Sequence, residues 1–358
     1  SWWLSDYALF MAVKDRFDGV EWTKWAEDIR LRYGYAMDYY RRELYFDIEF
    51  QKYLQFTFYK QWNKLKAYVN SLGIRMIGDI PIYVAMDSAD AWANPSLFQL
   101  DEKNVPYAVA GCPPDGFSAT GQLWGNPLYR WEYHRQTGYE WWLKRLSHCF
   151  KLYDAVRIDH FRGFDQYYSI PYGAEDATRG HWEQGPGIDL FNRVRQVLGE
   201  KEVIAEDLGY VTDSVRKLVY DSGFPGMKVL EFAFDDSENS DYLPHKYQEN
   251  CIVYTGTHDN ETLMGFYGAK KKKDLKYVMD YLQIKKKKQI PSEMIRLGYS
   301  SIANTAIFQM QDVLGLDNRA RMNLPSSVGT NWRWRMLPGA FTKEHCRYLK
   351  KLCKIYNR

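Results

Sequence analysis

From Tyr7 to Leu72 the apolar positions recur at steps of three and four, through Tyr7, Phe10, Met11 and Val13 and again from Phe50 onward. That period is helical, so this stretch is expected to be mostly α-helix. Gly73 follows the last periodic residue and reads as the glycine that ends a helix. The pattern then changes. Ile74, Met76, Ile77 and Ile80 form an apolar run, and this first strand ends near Asp79. Further runs follow at about Asp154–Asp159, Glu202–Glu206, Met227–Phe232, Cys251–His258 and Asn304–Gln311, each ending in polar residues. Helical stretches such as Asp189–Leu198 and Ser214–Ser222 lie between several of them.

Strands alternating with helices predict a parallel sheet or barrel. Catalytic residue types at successive strand ends favour an α/β fold of the (β/α)8 TIM-barrel kind, whose active site is built at that end of the strands. Six barrel strands are legible and none before residue 74, so the first barrel strands are expected upstream of Ser1. The expected organisation is one catalytic barrel domain over 1–358, N-terminally incomplete, with a helical insertion at about 1–72 and a long active-site loop at about 86–140. A loop of that length in a compact domain is usually functional or disordered, and its aromatic residues argue against disorder.

Composition narrows the class. Hydrophobic residues at 46% and charged residues at 26% are ordinary for a globular chain. Aromatic residues reach 17%; most are expected in the core, while a few on a cleft wall would suit the apolar faces of sugar rings. A net charge of +3 argues against an obligate nucleic-acid binder. The runs Lys270–Lys273 and Lys285–Lys288 flank a helical segment without interleaved aromatics and read as a solvated surface hairpin. Five Cys without a C-x-x-C pair fit neither a disulfide framework nor a zinc site, and a reducing cytoplasm is the simplest compartment. No apolar run approaches the roughly 20 residues of a membrane helix.

The chemistry lies at the strand ends. Residues 156–163 read VRIDHFRG, and strand alternation puts Arg157 and Asp159 on one side. A guanidinium at that range favours an ionised carboxylate, which at a barrel mouth can act as nucleophile. An R-x-D pair alone would be read as a structural ion pair. However, VIAEDLG at 203–209 delivers Glu206 from an apolar run, where a carboxyl tends to stay protonated as a general acid requires. YTGTHDNET at 254–262 adds His258 and Asp259, and MIGDIPIYV at 76–84 adds Asp79. Retaining glycosyl transfer needs this set: one carboxylate attacks the anomeric carbon and a second protonates the leaving oxygen. The seven His show no metal-ligand spacing, and no phosphate loop or G-x-S-x-G elbow is present, so neither a metal nor a cofactor is called for.

Together these motifs resemble the amylomaltases, or disproportionating enzymes, of glycoside hydrolase family 77 in the α-amylase clan. The loop GCPPDGFSATGQLWGNPLY at 111–129 and the segment RMNLPSSVGTNWRWR at 321–335 are similar to amylomaltases rather than to α-amylases. The resemblance runs from Ser1 to Arg358. It implies a 4-alpha-glucanotransferase that moves a segment of a 1,4-α-glucan to the 4-hydroxyl of an acceptor by retaining double displacement. Carried over residue by residue, it makes Asp159 the nucleophile, Glu206 the acid/base and Asp259 the transition-state stabiliser. Arg157 and His258 become supporting contacts and Asp79 a substrate-site residue, Gln122 and Trp124 line the glucan path, and Asn323 contacts substrate. Donors and acceptors would be maltooligosaccharides or starch-derived glucans, with glucose also an acceptor and no nucleic acid or membrane involved. The alternatives are an α-glucan hydrolase with the same acids, differing only in its acceptor, and an inactive glucan-binding fragment.

Overall fold

A computed structural model describes residues 1–115, 118–209, 211–234, 240–325 and 327–358; residues 116 and 117 of the long loop and 326 of the late motif lie outside the described residues. The chain divides into two compact units, Ser1–Phe224 and Pro225–Arg358.

The first unit opens with four α-helices, α1 (Leu4–Arg16), α2 (Glu27–Arg30), α3 (Gly34–Glu43) and α4 (Tyr45–Ser71). Helix α1 buries Ala8, Leu9, Phe10, Ala12 and Val13, and the Phe10 ring packs on Trp25 and Trp92. Helix α4 closes as its sequence predicts. Gly73 takes the left-handed φ of +74°, its N–H bonds the Asn70 carbonyl at 2.9 Å, and Ile74 N–H reaches the Val69 carbonyl at 3.3 Å. Its aromatic residues depart from the expected burial, for Phe46, Phe50, Tyr53 and Phe56 are all exposed.

Among the described residues seven strands follow in this unit: β1 (Ile77–Pro81), β2 (Ala108–Cys112), β3 (Gln122–Pro127), β4 (Ala155–Asp159), β5 (Gln166–Pro171), β6 (His181–Gln184) and β7 (Val203–Ala205). Strands β1, β4 and β7 form a parallel sheet in the order β1-β4-β7. Along β4, Val156 and Ile158 are fully buried on one side, while Arg157 and Asp159 share the other. Helix Ile188–Leu198 links β4 to β7, and Leu190, Phe191 and Val194 supply its buried stripe.

The remaining strands form an antiparallel sheet, β3-β2-β5-β6, which the sequence pattern does not reveal. Two of them lie inside the 86–140 connection. Glycine breaks their alternation: a Cβ at Gly111 would sit 2.1 Å from the Gln122 carbonyl, so the bulged β2–β3 pairing requires glycine there.

In the second unit β8 (Gly226–Val229), β9 (Cys251–Tyr254) and β10 (Thr305–Ile307) form another parallel sheet, ordered β10-β9-β8. The six strands read as barrel strands are therefore β1, β4, β7, β8, β9 and β10, alternating with helices as an α/β barrel fold requires. The three in this unit are shorter than their sequence runs. After Val229 the chain enters a tight helical turn at Leu230–Phe234, and after Tyr254 it enters the loop that carries His258 and Asp259.

Candidate active site

The parallel register of the first unit assembles one cluster of charge. Asp79 pairs in register with Arg157, and Ile158 with Ala205, so Glu206 emerges beside Asp159 at the strand ends. Arg157 is buried and forks between two acids, its Nη1 donating to Asp79 Oδ2 at 2.5 Å and its Nη2 to Asp159 Oδ1 at 2.7 Å. Burial works against the guanidinium charge, but Asp159, Asp79 and Glu206 outweigh it and raise the Arg157 pKa. Asp79, Arg157, Asp159 and Glu206 thus come together as the motifs predict.

Glu206 differs from its neighbours in what holds it. Its Oε2 accepts from the His160 N–H at 2.7 Å and its Oε1 from the Leu208 N–H at 3.0 Å. Burial, reinforced by the Asp159 charge, lifts its pKa to about 7, against the opposing pull of Arg157 and the two N–H donors. A carboxyl tuned to that range can both give and take a proton near neutral pH.

His160 is the residue of this cluster that the sequence reading did not single out. It sits in the left-handed region, at φ 55° and ψ 48°, and its N–H donates to Glu206 Oε2. A left-handed non-glycine residue at a site is characteristic of strain held for function. Burial, with Arg162 nearby, drives its imidazole pKa down to about 3, so the ring is neutral. Trp124 stands edge-on to that ring at 4.8 Å and donates from its indole N–H to Gln122 Oε1 at 3.0 Å. The indole remains 36% exposed. Strand β3 therefore places Gln122 and Trp124 beside His160.

The second unit fixes the other predicted residues. Asn323 Nδ2 donates to Asp259 Oδ1 at 2.6 Å, and His258 Nε2 lies 3.2 Å from Asp259 Oδ2. Asn323 N–H also bonds the His258 carbonyl at 3.1 Å, and Arg321 Nη2 bonds the Asp259 carbonyl at 2.6 Å. The His258 ring lies 5.0 Å from Trp332. The 321–335 motif is thus a clasp on the His258–Asp259 loop. Arg321 and Trp332, unremarked in the sequence reading, lie within the motif already noted.

Relatives match nearly the whole chain. The model of glycoside hydrolase family 77, described as 4-alpha-glucanotransferase, matches residues 1–340. A 4-alpha-glucanotransferase of Clostridium butyricum is 46% identical over 360 residues, covering 99% of this chain and 74% of its own length. One of Thermus thermophilus is 44% identical over 365 residues, covering 100% and 73%. The structure of the Streptococcus agalactiae amylomaltase in complex with acarbose superposes with a TM-score of 0.96 at 41% identity, over 99% of this chain and 72% of that one. Among the described residues no helix is long and apolar enough to cross a membrane. Motifs, strand-end geometry and relatives agree: the chain belongs to glycoside hydrolase family 77, the 4-alpha-glucanotransferases.

Proposed function

We propose that Asp159 is the nucleophile and Glu206 the acid/base of a retaining transfer between α-1,4-glucans. Glu206 protonates the glycosidic oxygen as Asp159 attacks the anomeric carbon, so the reducing-side fragment leaves and the remainder is held on Asp159 as an ester. Glu206, now ionised, takes the proton from the 4-hydroxyl of an incoming glucan or glucose, whose oxygen displaces Asp159 and restores both groups. The observation that carries this reading is the pairing of Asp159, charge-matched by Arg157, with a Glu206 whose pKa is lifted to about 7.

Asp259 is assigned to the same reaction as transition-state stabiliser, supported by its motif and by the Asn323 and His258 contacts that fix its carboxylate. Asp79 and Arg157 serve substrate through their shared ion pair, and Gln122 and Trp124 offer an amide and an indole face to a glucan. Donors and acceptors are maltooligosaccharides or starch-derived glucans, with glucose as a further acceptor, in the cytoplasm. The acarbose complex of the Streptococcus agalactiae amylomaltase supports a saccharide occupant. Incubation with maltotriose tests the reading: glucose with maltopentaose and longer products is expected, while glucose and maltose alone would replace transfer by hydrolysis.

A further inference from the structure

A second buried acid lies in the other unit. Glu231 is 5% exposed and follows strand β8, where its N–H bonds the carbonyl of Thr255 at 3.1 Å. Its Oε1 accepts from Asn260 Nδ2 at 3.2 Å. That bond fixes which way the Asn260 amide faces. Asn260 Oδ1 in turn accepts from Thr257 N–H at 2.8 Å and from Thr257 Oγ1 at 2.9 Å, and Thr257 Oγ1 is 3.3 Å from the Asp259 N–H. The loop is tight: a Cβ at Gly256 would meet the Gln309 amide at 2.7 Å and Asn260 Cβ at 3.1 Å. Behind it Thr255 Oγ1 donates to the buried Asp312 at 2.7 Å, whose other oxygen accepts from Leu263 N–H at 2.8 Å.

We infer that Glu231 is a positioning residue for Asp259: through Asn260 it locks the Thr257–Asn260 turn that carries the His258–Asp259 pair. The inference rests on the assignment of Asp259 to the reaction. Glu231 does this work as the neutral acid. Burial lifts its pKa to about 8; Glu261 and Asp312 push the same way, while the Asn260 hydrogen bond and Arg321 oppose. Among the described residues the phenol of Tyr267 also interacts with it. A negative Glu231 in this surrounding is strongly disfavoured: its bond to the Asn260 amide would tighten, but an added charge beside Glu261 and Asp312 strains the pocket on which the turn rests.

Turnover of maltotriose by the enzyme, measured from pH about 5 to about 10 in wild type, E231Q, E231L and D259N, tests this. Glutamine keeps the shape and acceptor oxygen of the neutral acid, so E231Q is expected to hold kcat within about threefold of wild type. In wild type, log kcat should fall with a slope of about one above the Glu206 pKa and about two above the Glu231 pKa; E231Q should keep only the first. E231L removes the acceptor and should lower kcat about 10- to 100-fold with KM within about threefold, because misplacing a catalytic group costs rate rather than binding. Wild-type turnover by E231L, or an alkaline limb in E231Q as steep as in wild type, would overturn the inference. If E231L fails to fold, the E231Q profile still decides. Wild-type turnover by D259N would instead remove the Asp259 assignment, whereas an inactive D259N beside an unimpaired E231L would sink the present inference alone.

Discussion

Glu206 and Glu231 are two buried glutamates with raised pKa values, one in each unit, yet their surroundings set them to different tasks. Glu206 stands at a strand end among ionic groups: burial lifts its pKa, Asp159 adds to the rise and Arg157 opposes it. Glu231 hydrogen-bonds a neutral amide and, with burial again the largest cause, is raised further by Glu261 and Asp312. The first environment suits a group that changes its protonation during a reaction, because a charge already nearby balances the change. The second suits a group that keeps its proton and holds geometry. A raised pKa alone therefore does not mark a catalytic acid; what sets Glu206 apart is the guanidinium-paired carboxylate of Asp159 beside it.

The largest expected effect breaks the first environment at its nucleophile. Asp159→Ala should reduce transfer by about 10⁴-fold or more, since the covalent route is lost while the binding surface remains. Affinity for maltooligosaccharide, measured calorimetrically, should stay close to wild type. Turnover within tenfold of wild type would remove Asp159 from the role of nucleophile.

Glu206→Gln should cost about 10²- to 10⁴-fold in kcat, the usual worth of general acid–base assistance. The loss should shrink for a glycosyl fluoride donor, whose leaving group needs no proton. In wild type kcat/KM should fall as pH rises through about 7, because the first step needs the protonated acid. Stability follows the same proton. The folded pKa of about 7 exceeds the ordinary value of 4.5, so the stabilising preference for the neutral form is complete below about 4.5 and is lost as pH rises from there through about 7. Glu206→Gln should therefore melt at a higher temperature than wild type above pH about 7, and a melting curve unchanged across that window would contradict the assigned pKa.

Much of this arrangement was legible in the chain, for identifiable reasons. Strands β4, β7, β8 and β9 are buried along almost their whole length, so each appears as an apolar run, and acids appear where such runs stop. VRIDHFRG also yields its geometry, because strand alternation alone puts Arg157 and Asp159 on one side. The β3-β2-β5-β6 sheet was not legible, since glycine at the Gly111 bulge and the short, part-exposed strands obscure a period of two. His160 was missed because its contribution is a backbone N–H donated to Glu206, a property no side-chain pattern carries. Glu231 was missed for another reason: it follows an apolar run like Glu206, and only its link to Asn260 shows what it does.

Arg157 is where stability and chemistry meet, and Arg157→Met separates them. The substitution keeps the buried stem but removes the donor shared by Asp79 and Asp159. Both acids are partly exposed, so the unfolding free energy should fall by only about 1–3 kcal/mol, the range for orphaned polar groups, rather than by the larger cost of a fully buried broken pair. The alkaline limb should move up, because Arg157 is a group that holds the Glu206 pKa down. A destabilised variant with an unmoved limb would mean that Arg157 braces the strands without tuning the acid.

The smallest effect concerns the aromatic wall. Trp124 meets His160 edge-on, leans on Tyr83 at 6.3 Å and keeps a third of its surface open. An indole used only for packing would be covered, and its removal would lower stability without touching KM. One that also offers a face to a sugar ring should show the reverse. Aromatic contacts of this kind are worth about 0.5–1.5 kcal/mol, so Trp124→Ala should raise KM for maltooligosaccharides roughly 2- to 12-fold. kcat should stay nearly constant, since an interaction made equally in ground and transition states is lost from KM alone. Trp124→Phe should recover most of that loss, because it restores the ring while leaving Gln122 Oε1 without the indole donor. A drop in kcat shared by both variants would locate the role of Trp124 in its bond to Gln122 and its support of His160, and not in the face it presents to substrate.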